Sequence, residues 1–538
     1  MSGDLDDGEG NKMSGLELAL LIIVILLIGV PLATVAYLYY FDAKQEQHAI
    51  LRNFPLLGKV RYILEKIGPE MRQYLFDHDT TGKPFSREDY QNIIIPAKYQ
   101  NNMLSFGSKR DFDQKGYFIR NAMFPKQARE LRVDNNGIID TKKYTIEEDD
   151  LFKRKEHMEE IQSKPWLLAD EDAVVIGEHC KHPFKVKGLV GMSAMSYGSL
   201  GDRAITTLST GLGMATGTWM NTGEGGLSPY HLKGDVDIIM QIGPGLFGVR
   251  TKEGELDFDE LKRKANLKQV KAIELKLAQG AKARGGHLDG SKVTPEIAEI
   301  RGVEPWKTVD SPNRFNEFDS LESMFDLIDK IRDISGLPVG MKMVVGHQSE
   351  ADQLASFMKE SGRGPDFITV DGSEGGTGAT YQELADSVGL PIKPAVMTLH
   401  RALKAHGVRD RVKVIASGKL FTPDRIAVVL AMGADLVNIA RAFMFSVGCI
   451  MAQRCHTNTC PVGVATTDPK LQKALVIEEK KYRVVNYLLT LRQGLFTTAA
   501  AAGLNSPVEF TEEHIAYQDD KGRMLTLDQL YKDVRQTS

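Results

Sequence analysis

The sequence predicts an α/β protein built on a closed (β/α)8 TIM barrel, with an N-terminal transmembrane helix and a helical pre-barrel segment. Eight short apolar runs follow one another after residue 174, and each ends in glycine or polar residues. Helical stretches lie between many of these runs, as expected for a parallel sheet that is covered on both faces. Near the N-terminus, residues 18–41 carry no charge and are long enough to cross a bilayer as a helix.

The composition is that of an ordinary globular chain, and it limits the classes of function. The 538 residues are 42% hydrophobic and 26% charged, and the net charge of −4 gives no electrostatic reason to expect nucleic-acid binding. Four cysteines cannot form a disulfide scaffold at this length. They favour a reducing compartment and indicate metal or redox chemistry.

The N-terminal region predicts an acidic tail over residues 1–13 and a transmembrane helix over residues 14–41. Tyr37, Tyr39 and Tyr40 gather at the end of the apolar run, as aromatic residues do at a membrane interface. Acidic residues precede the run and basic residues follow it, so the positive-inside rule predicts a single-pass membrane protein whose catalytic domain is cytoplasmic. The alternative is a buried core helix.

Residues 42–165 are predicted to form a juxtamembrane and pre-barrel segment. Apolar residues over 53–76 recur at helical spacing, which indicates a helix near the membrane surface. The charged run over residues 147–160 is predicted to be the solvated face of a helix rather than a binding patch. The barrel is assigned to residues 166–510, and residues 511–538 are predicted to be a C-terminal tail.

The eight apolar runs favour a closed barrel over an open doubly wound sheet, because their number is right and because several contain polar residues. The predicted strands lie within residues 188–198, 214–226, 237–249, 272–282, 338–346, 366–379, 412–420 and 434–444.

Three charged residues lie inside predicted strands. Glu274 and Lys276 alternate with leucines, so a period of two places both charges on one face of the strand. Lys342 lies between two methionines in the same way, without an acidic partner in its own strand. A buried charge is costly unless it is paired or bound to something. Glu274 and Lys276 could form an internal ion pair, whereas for Lys342 a ligand is the better explanation.

The ends of the predicted strands indicate a ligand site, because active sites of such barrels lie at the carboxyl ends of the strands. Loops after the seventh and eighth strands commonly bind phosphate in this fold, and here they hold Ser417, Gly418 and Lys419, followed by Ala440 and Arg441. Small residues let backbone N–H groups approach an anion. The glycine-rich segment 371–379 after the sixth strand has the same open character.

Three of the four cysteines follow the eighth strand within twelve residues: Cys449, Cys455 and Cys460, the last followed by a proline. Iron–sulfur clusters are held by thiolates that are closely spaced on one loop. A zinc site could recruit His456 as a fourth ligand, although the spacing matches no common zinc pattern. The spacing by itself leaves an iron–sulfur cluster, zinc and free thiols open.

Four segments together resemble the glutamate synthase family. They are "CHTNTCPVGVATTDPKL" (455–471), "NTGEGG" (221–226), "KLAQGAKARGGHLDGSKV" (276–293) and "DGSEGGTGA" (371–379). These motifs occur in the order that the FMN-binding synthase domain has, and the resemblance covers about residues 165–510. It implies two cofactors, FMN at the mouth of the barrel and a 3Fe-4S cluster. The cluster would be held by Cys449, Cys455 and Cys460, whereas Cys180 lies outside the motif and is expected to be structural.

The resemblance also implies the residues of the site. Lys342 would face one edge of the flavin, and the phosphate would meet the loops after strands seven and eight. The residues expected to bind the cofactor are Ala194, Met195, Ser196, Asn221, Thr222, Gln241, Lys342, Asp371, Gly372, Gly375, Gly376, Thr377, Ser417, Gly418, Lys419, Ala440 and Arg441. The residues expected to act on the substrate are Glu224, Lys276, Gln279 and Lys282. The implied activity is reductive amination of 2-oxoglutarate, through 2-iminoglutarate, to glutamate.

The chain also departs from the family pattern. It has no cysteine before Cys180, whereas a full glutamate synthase begins with a glutaminase domain whose nucleophile is an N-terminal cysteine. Residues 310–318 differ from the family's substrate-proximal stretch. Ammonia would therefore come from solution or from an ammonia-supplying subunit. The sequence has no NAD(P)H domain, so ferredoxin or a partner reductase is the expected electron donor.

Two alternatives remain open at this point. One is an FMN and iron–sulfur oxidoreductase that acts on a different 2-oxo or imino acid. The other is a membrane-tethered electron-transfer or scaffold subunit, which would keep the cysteines but could lose the substrate lysines. An isomerase is disfavoured because it needs no electron relay, and an α-hydroxy-acid oxidase because segment 371–379 lacks the His and Arg that its chemistry uses. The presence of Glu224, Lys276 and Lys282 favours an enzyme.

Overall fold

A computed structural model of the chain describes residues 13–283 and 285–531, so the predicted acidic tail lies almost wholly outside the described residues. The chain divides into two compact units, residues 1–88 and residues 89–538. The domain boundaries drawn from the sequence stay predictions.

The first unit contains one helix that is long and apolar enough to cross a membrane. It runs over Gly15–Lys44, with a mean hydropathy of 3.0 in its most apolar window, and the side chains of that window are not buried. A π-helical turn over Ile25–Gly29 interrupts the regular α-helix. Length and composition permit a transmembrane span but do not distinguish it from a signal sequence. Among the described residues, no part of that window is buried, so the alternative of a buried core helix is not supported.

A second helix, which is amphipathic, follows in the same unit. The short helix Ala49–Asn53 leads into Leu57–Met71, which continues as a π-helical segment over Arg72–Phe76. The helix places Leu57, Val60, Ile63, Leu64 and Ile67 at helical spacing, and all five side chains are exposed. Lys59 Nζ donates to Asp42 Oδ1 at 2.7 Å, which ties this helix to the end of the long apolar helix.

The second unit contains a closed, all-parallel barrel of eight strands, as the sequence predicts. Each strand pairs with the next one in the chain, and the eighth pairs with the first. The strands are β1 Val190–Met192, β2 Trp219–Asn221, β3 Asp237–Ile242, β4 Val270–Lys276, β5 Val339–Met343, β6 Phe367–Asp371, β7 Lys413–Ser417 and β8 Leu436–Ile439.

Large side chains fill the barrel interior where a facing strand carries glycine. A Cβ on Gly191 would lie 2.0 Å from the Trp219 indole, and one on Gly340 would lie 2.5 Å from the Phe367 ring. The Trp219 indole also donates to Asn438 Oδ1 at 2.9 Å. The interior is therefore a packed core rather than a pore.

Helices cover the outside of the barrel, although the β2–β3 connection over residues 222–236 contains none. The long helix Ile477–Ala501 closes the ring by packing against Asp202–Ala215 and Pro423–Ala431. The other helices after the strands are Phe258–Ala265, Pro295–Arg301, Leu321–Ser335, Gln348–Ser361, Gln382–Ser387, Ile392–Ala405, Arg441–Ser446 and Pro469–Gln472.

The pre-barrel segment is helical only in part. Helix Arg87–Tyr99 is followed by short strands and then by a long hairpin, Ile139–Asp149 paired with Arg154–Ser163. The prediction of a solvated helix face over residues 147–160 is therefore wrong. Opposite charges face each other across the hairpin, as in the Lys142–Glu160 pair at 2.7 Å, so the charges stabilise strand pairing instead.

The end of the chain is folded up to residue 531 rather than extended as a tail. Ile515–Gln518 pairs with Gly116–Ile119 on one side and with Met524–Thr526 on the other, which forms a three-stranded antiparallel sheet. Helix Leu527–Tyr531 follows. The strand Gly116–Ile119 lies about four hundred residues earlier in the sequence than its partner Ile515–Gln518. No local sequence pattern reveals such a pairing.

Candidate active site at the carboxyl ends of the barrel strands

A buried carboxylate lies in the middle of the barrel, below the mouth. Glu274 of β4 is fully buried, and three side chains donate to it: Asn221 Nδ2 at 2.8 Å, Gln241 Nε2 at 2.6 Å and Thr369 Oγ1 at 2.5 Å. The internal ion pair that the sequence allowed between Glu274 and Lys276 does not form. Neutral donors from β2, β3 and β6 satisfy Glu274 and leave Lys276 available to other groups.

Two buried lysines lie side by side above this carboxylate. Lys276 ends β4 and pairs in register with Lys342 of β5, and the two side chains are 4% and 3% exposed. Lys276 Nζ donates to Glu224 Oε1 at 2.5 Å. Burial lowers the pKa of Lys276; Glu224 opposes that shift and Lys342 adds to it. Burial alone would raise the pKa of Glu224, but Lys276, Lys282 and Arg301 outweigh it and lower that pKa.

Lys342 has no comparable partner. Its Nζ lies 4.0 Å from Asp371 Oδ2, beyond hydrogen-bond distance, and within the described part of the chain no other acidic group pairs with it. Asp371 instead accepts the backbone N–H of Gly280 at 3.0 Å. A buried ammonium without a hydrogen-bond acceptor is costly, so this position favours an anionic or polar ligand.

The Glu224 carboxylate occupies a space that is available only because the residues beside it are glycines. A Cβ on Gly286 would lie 2.3 Å from Glu224 Oε1, and one on Gly243 would lie 2.7 Å from Oε2. Ser311 Oγ donates to Oε2 at 3.3 Å. Ser311 belongs to the stretch 310–318 that departs from the family pattern, so this departure reaches a residue of the candidate site.

The loops after β4 and β6 are joined by side chains of the predicted substrate residues. Gln279 Nε2 donates to Gly376 O at 2.7 Å, and Lys282 Nζ donates to Ala379 O at 3.2 Å. Thr377 Oγ1 donates to the same Ala379 oxygen at 3.2 Å. Gln279 and Lys282 therefore also act as supports of the glycine-rich loop.

Arg441 holds the other side of that loop. Its Nη2 donates to Glu374 O at 2.7 Å, and its guanidinium packs where a Cβ on Gly376 would stand. Burial lowers the pKa of Arg441 to about 10, while Asp371 and Glu374 oppose the shift. Arg441 follows Ala440 directly after β8, so a half-buried cation lies in one of the two loops where phosphate is predicted.

The remaining predicted cofactor residues cluster at the same end of the barrel. Gly372 N donates to Ser417 O at 2.8 Å, and Gly375 N donates to Gly372 O at 2.9 Å, so the turns after β6 and β7 are joined. Gly418 and Lys419 continue the chain from Ser417, with Lys419 in the left-handed region at φ 48°.

The loops after β1 and β2 are joined in the same way. Met195 N donates to Asn221 O at 3.2 Å, and Ser196 Oγ accepts Gly225 N at 3.2 Å. Ala194 precedes them and is half-buried. Thr222 Oγ1 accepts Gln241 N at 3.0 Å. The structure thus brings all the predicted cofactor residues to one end of the barrel, whereas their roles stay predictions.

The three cysteines of the loop after β8 are free thiols that lie near one another. Burial, together with the thiols of Cys455 and Cys460, raises the pKa of Cys449 to about 12. Burial also raises the pKa of Cys455; Cys460 adds to that shift, whereas Lys292 and Arg441 oppose it. Among the described residues, no group of three ligand atoms within 4.8 Å of one another includes these thiols, so a metal cluster on this loop stays a prediction.

Lys292 is a residue of this region that the sequence analysis did not single out. Its side chain is buried, and Nζ donates to Cys455 O at 2.7 Å, Ala465 O at 2.9 Å and Ser199 O at 3.1 Å. It therefore ties the cysteine loop to the β1 and β4 loops. The lysine stands inside a quoted motif, but its partners lie more than ninety residues away, so local spacing could not reveal its role.

A family model described as the conserved region in glutamate synthase matches residues 127–505. The chain belongs to the glutamate synthase family. It is 59% identical over 519 residues to the glutamate synthase large subunit-like protein YerD of Bacillus subtilis, covering 96% of this chain and 99% of that protein. It is 33% identical over 376 residues to the archaeal-type glutamate synthase [NADPH] of Thermotoga maritima, covering 69% of each.

The chain is also similar, at lower identity, to a glutamate synthase large chain and to a solved structure. The chain is 31% identical over 321 residues to the glutamate synthase [NADPH] large chain of Bacillus subtilis, of which it spans 20%. Among solved structures, a flavocytochrome b2 double mutant with pyruvate bound is similar at a TM-score of 0.43 and 13% identity, with coverage of 90% of this chain and 92% of that chain. A likeness at that level adds nothing to the closed barrel described above. These comparisons confirm the family that the sequence motifs indicate. FMN, the 3Fe-4S cluster and the substrate stay predictions.

Proposed function

We propose that this chain is a membrane-anchored, FMN-dependent oxidoreductase of the CH–NH2 class (EC 1.4) that converts 2-oxoglutarate and ammonia, through 2-iminoglutarate, to glutamate. The observation that carries the proposal is the pair of buried lysines at the barrel mouth, Lys276 and Lys342, one of which lacks a hydrogen-bonded acceptor among the described residues. The family and the names of the relatives support the reaction class.

The residues present are suited to FMN. Lys342 offers a buried positive charge that can balance negative charge on the ring system, and protein charge near a flavin tunes its electronics. Arg441 and the turn at Ser417 and Gly418 would hold the phosphate, since Arg is well matched to phosphate geometry and glycine allows close backbone approach. FMN would supply the hydride when bound. Asn221, Thr222 and Gln241 would line its ring.

The charge balance of the mouth suits a dicarboxylate substrate. Four buried cations and one half-buried cation lie there with three carboxylates, namely Lys276, Lys282, Lys342, Arg301 and the half-buried Arg441 with Glu224, Asp371 and Glu374. An ammonium has three donors, and Glu224 accepts only one from Lys276. The pair can therefore orient Lys276 while it keeps donors for a substrate carboxylate, and charge-assisted bonds of that kind are strong.

The cysteine loop is suited to a 3Fe-4S cluster. Cys449, Cys455 and Cys460 supply three thiolates, and Cys180 belongs to a different part of the barrel. Lys292 and Arg441 place positive charge near Cys455 and oppose part of the rise that burial causes in its pKa. The cluster would pass electrons from a donor such as ferredoxin or a partner reductase. Ammonia would come from solution or from an ammonia-supplying subunit.

Two features of the first unit support the membrane part of the proposal. The helix Gly15–Lys44 exposes its apolar side chains along its whole length. The amphipathic helix Leu57–Met71 exposes a second apolar face, with Lys59, Arg61 and Lys66 on the same helix. A helix of that pattern lies in the membrane interface, where anionic lipids attract its basic residues. We infer a single-pass protein with a cytoplasmic barrel.

The test is an anaerobic assay of the purified full-length protein with reduced ferredoxin or dithionite, ammonia and a panel of 2-oxo acids. Lys276→Met should keep FMN but lower turnover of 2-oxoglutarate by about two to three orders of magnitude. Lys342→Met should slow the reduction of every acceptor to a similar extent, because the flavin ring loses the positive charge that balances it. Lys264→Met, which changes a buried lysine of an outer helix, is the matched control and should retain activity.

Three results would overturn parts of the proposal. If both site variants turn over 2-oxoglutarate at the parent rate, the site lies elsewhere. If the parent reduces another 2-oxo or imino acid instead, the substrate assignment is wrong. If the parent reduces none of them while a bound cluster still exchanges electrons, the electron-transfer or scaffold alternative replaces the enzyme.

A further inference from the structure

A second cluster of metal-ligating side chains lies at the opposite end of the barrel from the candidate active site. A hairpin of Val174–Ile176 and Phe184–Val186 precedes β1 and carries His179 and Cys180 in its connection. Asp366 stands directly before β6, so it lies at the amino ends of the strands. A ligand nitrogen of His179, Cys180 Sγ and a carboxylate oxygen of Asp366 all lie within 4.8 Å of one another.

The backbone of the hairpin holds this arrangement. Cys180 N donates to Gly177 O at 2.9 Å, which closes a tight turn, and Gly177 adopts φ 65°. A Cβ on Gly177 would lie 2.8 Å from Cys180 Sγ and 2.7 Å from the Pro338 ring. Only glycine leaves room for the thiol here, so the turn directs the Cys180 side chain toward Asp366.

Asp366 supplies an independent indication of a ligand. Its side chain is fully buried, and its Oδ2 accepts Val339 N at 2.7 Å and Arg332 Nε at 3.0 Å. Its Oδ1 is buried and no described residue makes a well-aligned hydrogen bond to it, although His179 Nε2 lies 3.1 Å away and the Cys180 thiol interacts with the same carboxylate. A buried carboxylate oxygen that lacks a donor is costly. A cation held between this oxygen, the imidazole and the thiol would remove that cost.

We propose that His179, Cys180 and Asp366 bind one zinc ion. Sulfur, imidazole and carboxylate ligands together suit zinc, whereas magnesium and calcium prefer oxygen. The thiolate and the carboxylate balance the double positive charge. A cavity of about 380 Å³ borders His179 and Asp366 and provides room for a water molecule as the fourth ligand. The site would fasten the hairpin to the amino end of β6.

The arginine side chains beside the cluster already form ion pairs or hydrogen bonds with other groups. Arg332 bonds the far oxygen of Asp366 and also Asp329 at 2.5 Å. Arg363 pairs with Asp326 and Asp329, and the Arg411 guanidinium donates to backbone carbonyls of residues 358 and 362. Arg332 therefore acts on the carboxylate as an outer partner, which orients a ligating oxygen.

The experiment measures zinc and iron per chain in purified full-length protein, before and after dialysis against zinc. The parent should hold about one zinc per chain, whereas Cys180→Ser and Asp366→Asn should retain less than about a tenth of that. His182→Ala, on the same hairpin, should keep the zinc. Cys455→Ser should keep the zinc as well, because its thiol belongs to the other end of the barrel.

Cobalt provides a second readout. Cobalt-loaded parent should show a thiolate-to-cobalt charge-transfer absorption that Cys180→Ser lacks, and zinc should raise the Tm of the parent but not of that variant. Circular dichroism and flavin content establish that the variants fold.

The inference is overturned if the parent binds no zinc in excess metal, or if Cys180→Ser keeps both zinc and the cobalt absorption. The three residues would then form a hydrogen-bonded cluster only. Failure of the proposed glutamate synthase activity would leave the metal content unchanged, so the two proposals are tested separately.

Discussion

Lys292→Met should loosen the cysteine loop without unfolding the barrel. The substitution removes three hydrogen bonds from a buried ammonium to the carbonyl oxygens of Cys455, Ala465 and Ser199. Methionine has a similar length and fills the space, so the loss is mainly that of the hydrogen bonds. Closing of the loop becomes less favourable in free energy, because three carbonyl oxygens are left without their donor.

The magnitude follows from the three contacts. Hydrogen bonds to charged groups contribute about 1.5–3 kcal/mol each, and removal of the buried ammonium returns part of this because its desolvation cost disappears. We expect a net loss of about 3–5 kcal/mol, which raises the open population of the loop by roughly two to four orders of magnitude. The same loss should lower the iron content, because the carbonyl of Cys455 itself is one of the three acceptors.

Hydrogen exchange over residues 449–467, together with iron and FMN per chain, measures this effect. Exchange should accelerate in that segment and stay unchanged in β4 and β5, while iron falls and FMN stays. Lys264→Met is the matched control, since Lys264 is also buried and also donates to a backbone carbonyl, that of Gly248. If exchange over the loop and iron content both match the parent, Lys292 does not hold the loop and the reasoning is refuted.

Three further predictions follow from other parts of the chain. Burial alone would raise the pKa of Glu156, but hydrogen bonds from Lys98, Tyr99 and Arg154 lower it to about 2. Glu156→Gln should therefore cost about 3 kcal/mol in the free energy of unfolding above pH 4.5, and the difference should vanish as the pH falls to about 2. Gly191→Ala should lower the Tm or prevent folding, because its Cβ would overlap the Trp219 indole. The full-length chain should resist extraction from membranes by high salt, whereas a chain that starts at residue 86 should be soluble and keep its flavin.

Each of these has a control and a contradicting result. Glu159→Gln, at an exposed position of the same hairpin, should change stability little; equal pH profiles for Glu156→Gln and the parent would contradict the pairing. Gly68→Ala, in the helix Leu57–Met71 with open space around its Cβ, should be neutral or stabilising by about 1 kcal/mol. A parent-like Tm for Gly191→Ala would mean that the barrel core is loose. Release of the full-length chain by salt alone would exclude the membrane anchor.

Much of the barrel could be predicted from the sequence because its elements are locally encoded. A parallel strand buried on both faces appears in the sequence as an apolar run, and a turn is marked by glycine. Seven of the eight barrel strands therefore fall inside the predicted segments, and β4 begins two residues before its segment. The period of two in β4 likewise places Glu274 and Lys276 on one buried face. The cysteine loop is visible because its ligands are close together in the chain.

The partners of these residues could not be predicted in the same way, because they are set by how the strands close. Glu274 meets donors from β2, β3 and β6, and Lys276 meets Glu224 from the loop after β2, although the sequence presents Glu274 and Lys276 as neighbours. The hairpin over Ile139–Ser163 was missed because a strongly charged run has no apolar period, and its strands are held by cross-strand charge pairs.

The sequence by itself therefore determined the barrel, the apolar N-terminal helix and the grouping of three cysteines, since each is a pattern of consecutive residues. Only the tertiary structure decided which charges are paired and which are not. It left Lys342 without a bonded acceptor, engaged Lys292 with three carbonyls, and brought His179, Cys180 and Asp366 together. The physical reason is that a side chain's free energy depends on its neighbours in space, and these come from segments tens to hundreds of residues apart.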